Sequence, residues 1–185
     1  VANKALPGEF TPKQRIERMI RVNHAGEYGA KRIYAGQLAV LGKSASAPVI
    51  KEMADQEQKH LDVFSQMVGS RKVRPTVLMP LWHVAGFALG AATALMGEKA
   101  AMACTVAVES VIDEHYASQE KELETMGEGE LQATVSQFRA EEKEHHDIAQ
   151  QHMQQDNKGS SPFYDILTAA VVYQTKVAIW LSTRI

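Results

Sequence analysis

The sequence predicts an all-α fold: a four-helix bundle with two additional apolar helices and an internal pseudo-repeat, forming a single domain over residues 1–185. Three observations point to it. Nearly every long segment repeats its apolar residues at the helical period, and no stretch alternates with a period of two. Two Glu-x-x-His pairs, Glu57 with His60 and Glu142 with His145, interrupt apolar helical faces. The order of segments in the first half of the chain also recurs in the second.

Residues 1–10 read as a flexible start. The first helix opens at Thr11-Pro12-Lys13-Gln14, where Thr11 can cap, Pro12 suits the first helical position and Gln14 completes a capping box. Its apolar row of Ile16, Ile20, Tyr34, Leu38 and Leu41 stops at Gly42. The second helix is expected over about 48–69. Pro75 and Pro80 then punctuate an apolar segment, 76–97, which contains no Asp, Glu, Lys or Arg. A helix over about 98–126 ends at Gly127 and Gly129, and another follows over about 130–156. The loop 157–161 leads to Pro162 and a last, largely apolar helix over 162–185.

Each half therefore reads as a helix with one interior-type Glu, a helix with Glu-x-x-His, and an apolar helix. Glu27 and Glu109 lie 82 residues apart, and Glu57 and Glu142 lie 85 apart. Tyr34 and Tyr116 each follow their Glu by seven residues, on the same helical face.

Glu57 and His60, three residues apart, share a face with Ile50, Met53, Phe64 and Met67. Glu142 and His145 repeat the device among Val135, Phe138 and Ala149. Glu27 lies on the line of Ile20, Tyr34 and Leu41, and Glu109 lies between Met102 and Ile112. Burying carboxylates without partners costs roughly several kcal/mol per ion. Two divalent metals would neutralise all four glutamates. One Glu from each of two helices plus Glu-x-x-His from two others is the ligand set of ferritin-like di-iron and di-manganese bundles. Mixed oxygen and nitrogen donors suit iron or manganese. Glu141 with His145, or Glu142 with His146, would also share a face; Glu142 with His145 is preferred because it matches the spacing of Glu57 and His60. The small residues Ala25, Gly26, Gly29 and Ala30 would let a partner helix approach Glu27 closely.

Composition narrows the function classes. A net charge of −2, with basic residues scattered among acids, leaves no footprint for nucleic acid. Cys104 is the single cysteine, which excludes an internal disulfide and a Cys-based zinc site and suggests a reduced, intracellular compartment. The opening VANKALPGEF lacks the apolar core of a secretory signal peptide.

The stretches RVNHAGEYGAKRIYAGQ, DQEQKH, RPTVLMPLWHVAGFALGAATALMG, AMACTVAVES and FRAEEKEHHD closely resemble the demethoxyubiquinone hydroxylase family of ubiquinone biosynthesis, over about residues 15–185. The resemblance implies an O2-dependent di-iron monooxygenase that adds a ring hydroxyl to a polyprenylated demethoxyubiquinol. Its metal positions fall on Glu27, Glu57, His60, Glu109, Glu142 and His145, with Glu57 and Glu142 bridging two Fe ions. His115 and Tyr116 match a family pair near the metals. NADH or the quinol itself would supply electrons. The resemblance also implies a lipid-binding companion from the same pathway and a peripheral location on the inner membrane, at the cytoplasmic face in bacteria or the matrix face in mitochondria; a homo-oligomer is compatible with the sequence, which does not fix the oligomeric state. Iron storage on a similar bundle is the rival reading, though a soluble cage would not readily accommodate two apolar helices.

The segment 76–97 has 22 residues, enough to span a bilayer by the roughly 20-residue criterion. A single crossing there would separate Glu27 and Glu57 from Glu109 and Glu142, so the metal site could not assemble. The segment and the final helix are instead expected to lie in the membrane interface, anchored by Trp82 and Trp180.

Overall fold

A computed structural model describes residues 9–155 and 162–185. Among them are six helices and no strand: α1 Pro12–Leu41, α2 Ala47–Ser70, α3 Met79–Leu95, α4 Glu98–Met126, α5 Gly129–Gln155 and α6 Pro162–Arg184. The expected loop 157–161, the last residue of the fifth predicted helix and residues 1–8 of the predicted flexible start lie outside the described residues.

The ends follow the local chemistry. Thr11 and Gln14 form the reciprocal capping box: the Thr11 N–H donates to Gln14 Oε1 at 2.9 Å, and the Gln14 N–H donates to Thr11 Oγ1 at 3.3 Å. The Ser46 N–H, just before α2, donates to Glu98 Oε2 at 3.0 Å, which ties the starts of α2 and α4 together. Gly97 (φ 109°) and Gly127 (φ 71°) bracket α4 in backbone conformations that residues with a Cβ avoid.

The apolar segment 76–97 is helical over only 17 residues, Met79–Leu95. Thr76 Oγ1 accepts from the Leu78 N–H at 3.2 Å, Pro80 occupies the first turn, and Gly97 stops the helix. By length α3 falls short of a bilayer, and α6, with 23 residues, is the one described helix long and apolar enough to cross a membrane.

The repeat seen in the sequence is also a repeat in space. α1 packs against α2 and α3, and α4 packs against α5 and α6. Two apolar clusters fill the interior, one including Ile20, Phe64, Val108, Leu123, Leu131 and Phe138, the other Tyr34, Ile50, Met53, Met102 and Ala149. Along each of α1, α2, α4 and α5 the site glutamate falls between residues of these two clusters. Acids are thereby walled off from water at both ends.

Close approach of α3 to α1 uses different glycines from those expected. A Cβ on Gly90 would collide with the Ile33 carbonyl, one on Gly36 with the Phe87 carbonyl, and one on Gly86 would sit 2.9 Å from Gly29 O. Gly26, expected at such a contact, has open space beside it. Gly90→Ala is therefore expected to destabilise the chain by about 1–3 kcal/mol, the usual range for overpacking. That corresponds to a fall in Tm of roughly 2–12 °C for a chain of this size. Thermal melts monitored by circular dichroism check it, with Gly26→Ala as the near-neutral comparison.

Candidate metal centre

All six predicted ligands converge in the interior, and each is at most 2% exposed. They form two overlapping groups, Glu27, Glu57, His60 and Glu142, and Glu57, Glu109, Glu142 and His145. Within each group, one donor atom per residue lies within 4.8 Å of the others. Glu57 and Glu142 belong to both groups.

Glu142 sits at the centre of the hydrogen bonding. Its Oε1 is 3.0 Å from His60 Nδ1 and its Oε2 is 3.2 Å from His145 Nδ1. His60 Nδ1 also lies 3.5 Å from Glu27 Oε2, and His145 Nδ1 lies 3.3 Å from Glu57 Oε1. Both histidines thus turn Nδ1 inward. Phe138 stacks on the His60 ring at 4.0 Å between centroids.

The two repeat tyrosines cross over. Tyr34 Oη donates to Glu109 Oε1 at 2.8 Å, and Tyr116 Oη donates to Glu27 Oε1. Each tyrosine follows one repeat's glutamate in sequence and fixes the other's in space. Burial first, then the facing carboxylates, hold both phenols well above their ordinary pKa, so they act as donors.

Electrostatics show how the chain carries this many acids in its interior. Burial, followed by the charges of Glu142 and Glu27, raises the Glu57 carboxyl well above its ordinary range. Burial, then Glu142 and Glu57, does the same to Glu109. For His60, burial favours the neutral ring, but the Glu142 and Glu27 carboxylates beside its Nδ1 outweigh it and push the pKa up to about 12. Burial opposes ionisation of Glu142 too, yet bonds with His145 and His60 bring it down to about 2. Without metal, protons therefore do the neutralising. Glu27 Oε2, both oxygens of Glu57 and Glu109 Oε2 accept no hydrogen bond although they are buried. Such orphaned acceptors in a dry core fit divalent cations better than any partner the chain supplies.

Of the competing registers, the geometry brings together Glu142 and His145. His146 lies outside, beside Asp147 Oδ1 at 3.0 Å. Glu141 is not at the centre either; its Oε2 meets the outer nitrogen of His60, Nε2, at 2.5 Å. In the same way Gln56 Oε1 meets Nε2 of His145. These two outer partners escaped the sequence reading. The available signal was their shared offset, since each directly precedes the Glu of its Glu-x-x-His.

His115 and Tyr116 border a largely apolar cavity of about 110 Å³ lined by α1, α3, α4 and α6, whose wall also includes Glu27. His115 Nε2 accepts from Gln119 Nε2 at 2.8 Å, and Gln119 in turn forms a reciprocal amide pair with Asn23. Burial brings the His115 pKa down to about 4, so the ring is neutral at pH 7. Trp82, expected as a membrane anchor, lines the cavity half-buried, its Nε1 donating to Ser182 Oγ at 2.9 Å; Trp180 is exposed.

Residues 14–182 match the family described as "Ubiquinone biosynthesis protein COQ7". The chain is 49% identical over 187 residues to the 3-demethoxyubiquinol 3-hydroxylase of Rhodospirillum rubrum, an alignment covering 100% of this chain and 85% of that protein. It is 51% identical over 175 residues to the mitochondrial NADPH-dependent 3-demethoxyubiquinone 3-hydroxylase of Homo sapiens, covering 92% and 78%. A further relative, the mitochondrial 5-demethoxyubiquinone hydroxylase of Saccharomyces cerevisiae, is 42% identical over 186 residues, covering 92% and 78%.

Proposed function

Because this chain belongs to the COQ7 family of ubiquinone biosynthesis, we propose that it hydroxylates the ring of a polyprenylated demethoxyubiquinol, using O2 at a pair of iron ions held by Glu27, Glu57, His60, Glu109, Glu142 and His145. The observation that carries the reading is the contact between cluster and cavity: Glu27 belongs to both, and Tyr116, which donates to Glu27, lines the cavity. A substrate ring in the cavity would lie against the metal ligands.

When bound, the irons supply the reduction of O2 and the oxygenation of the ring. The chain does the rest. Four carboxylates and two imidazoles fix the ions, Tyr34 and Tyr116 hold Glu109 and Glu27 in place, and the two apolar clusters exclude water. His115 stays neutral beside a largely apolar wall. Electrons come from a reduced nicotinamide or from the quinol. Incubating the iron-loaded protein with demethoxyubiquinol and ¹⁸O₂ is expected to give a product one labelled oxygen heavier by mass spectrometry; an unlabelled product, or none, contradicts the reading. The rival iron-storage reading requires a large hollow shell on size exclusion.

The cavity is open on one side, and a prenyl tail would leave it between α3 and α6. Those helices expose Leu81, Val84, Ile166, Tyr173 and Trp180. This supports a membrane surface as the place where substrate is met, with a lipid-binding companion and self-association as further partners and the inner membrane as its location. Liposome flotation is expected to carry the protein to the lipid fraction, and Val84→Asp with Trp180→Asp to reduce that recovery several-fold; wild-type protein left in the soluble fraction contradicts the interfacial placement.

A further inference from the structure

The two halves of the centre match in their inner ligands but not behind them. Behind His60 stands a carboxylate: Glu141 Oε2 lies 2.5 Å from His60 Nε2, and Gln137 Nε2 donates to the other Glu141 oxygen at 2.9 Å. Behind His145 stands an amide oxygen, Gln56 Oε1. The crossing is reciprocal, since the partner on α5 serves the histidine on α2 and the partner on α2 serves the histidine on α5. Behind the two histidines the pseudo-repeat therefore sets a charged acceptor against a neutral one.

An imidazole whose outer N–H donates to a carboxylate is a more basic ligand than one donating to an amide, because negative charge develops toward the inner nitrogen. Both rings turn Nδ1 to the cluster, so the difference is delivered to the metal positions. Glu141 is also only one-third exposed, and water screens it incompletely. We propose that Glu141 and Gln56 make the two metal positions unequal, the one at Glu27 and His60 binding divalent metal more tightly and filling first. The proposal rests on the metal-centre reading above. Glu141 and Gln56 would be positioning residues, acting through the histidines.

Anaerobic titration of the metal-free protein with Co(II) tests it, read by calorimetry and by the hyperfine-shifted, exchangeable imidazole N–H signals in proton NMR. The wild type is expected to bind in two steps whose dissociation constants differ by about 10–100-fold, the scale on which outer partners of metal-bound histidine act. One N–H signal should appear with the first equivalent and another with the second. Glu141→Gln keeps shape and removes charge; it should weaken the first step by about tenfold and move the first signal. Gln56→Glu should tighten the second step and move the second signal, closing the gap from the other side. A purely structural role for these side chains would not exchange which signal moves. Two equal steps in the wild type, or a first signal that answers to Gln56→Glu instead of Glu141→Gln, would overturn the proposal while leaving a metal centre in place. No Co(II) binding at all would overturn the metal centre itself.

Discussion

Glu142→Ala is expected to cut hydroxylation by at least about a thousandfold, the scale on which groups acting as one unit fail together. Glu142 is the carboxylate shared most evenly by the two halves, at 3.0 Å from His60 Nδ1 and 3.2 Å from His145 Nδ1, and it belongs to both ligand groups. Its loss removes a ligand from each position at once. Helix content has less at stake, because alanine is the strongest helix former, although His60 and His145 lose their shared buried partner and the metal-free variant should melt below the wild type. Circular dichroism should therefore stay near the wild-type spectrum while bound iron falls well below two equivalents. Glu144→Ala, two residues along and exposed, is the comparison and should change stability by no more than about 0.5 kcal/mol. Full hydroxylation in Glu142→Ala would rule out the bridging role.

The clustering of these six residues was legible because burial and charge leave few ways for a carboxylate to sit among apolar residues. The spacing of Glu57 to His60 and of Glu142 to His145 specified a shared face, and a helix of fixed pitch turns that directly into proximity. The same pitch explains what could not be read. Tyr34 lies on the face of Glu27, yet which carboxylate its hydroxyl reaches depends on how α1 is rotated against α4, and the answer is Glu109. The contact glycines Gly36, Gly86 and Gly90 likewise report the crossing of α1 and α3, which no single helix encodes. The late start of α3 was a matter of competing local signals: Thr76 caps a turn at Leu78, so a charge-free run of 22 residues yields a 17-residue helix. Gln56 and Glu141 were hidden differently. Polar residues beside a Glu-x-x-His look like solvated surface until the facing helix is in position.

Metal-free protein is expected to lose stability as the pH rises above about 6.5, and added Mn(II) is expected to reverse that trend. The sign follows from where the protons sit. The folded His60 pKa of about 12 lies above the ordinary value of 6.5, so its contribution is complete below pH 6.5 and is lost as the pH climbs toward 12. His145, also raised because its bonds with Glu142 outweigh burial, acts in the same direction. Glu57 and Glu109, held above 4.5, add to the trend, since the folded chain keeps protons that the unfolded chain has already released. Glu142 opposes it only in acid, where its contribution is lost as the pH falls from 4.5 toward 2. A proton held by the folded state alone is worth about 1.4 kcal/mol per pH unit, so His60 by itself would lower stability by up to about 3 kcal/mol between pH 6.5 and 8.5. For a chain of this size that is a fall in Tm of roughly 6–12 °C. Metal works the other way, because binding displaces those protons and strengthens as the pH rises. At a hundredfold excess over its dissociation constant, one ion adds about 2.7 kcal/mol. Thermal melts with and without Mn(II) should therefore diverge as the pH is raised from 6 to 8.5. A metal-free Tm that climbs over that range, together with no response to Mn(II), would mean that the buried acids and histidines form a self-contained polar network.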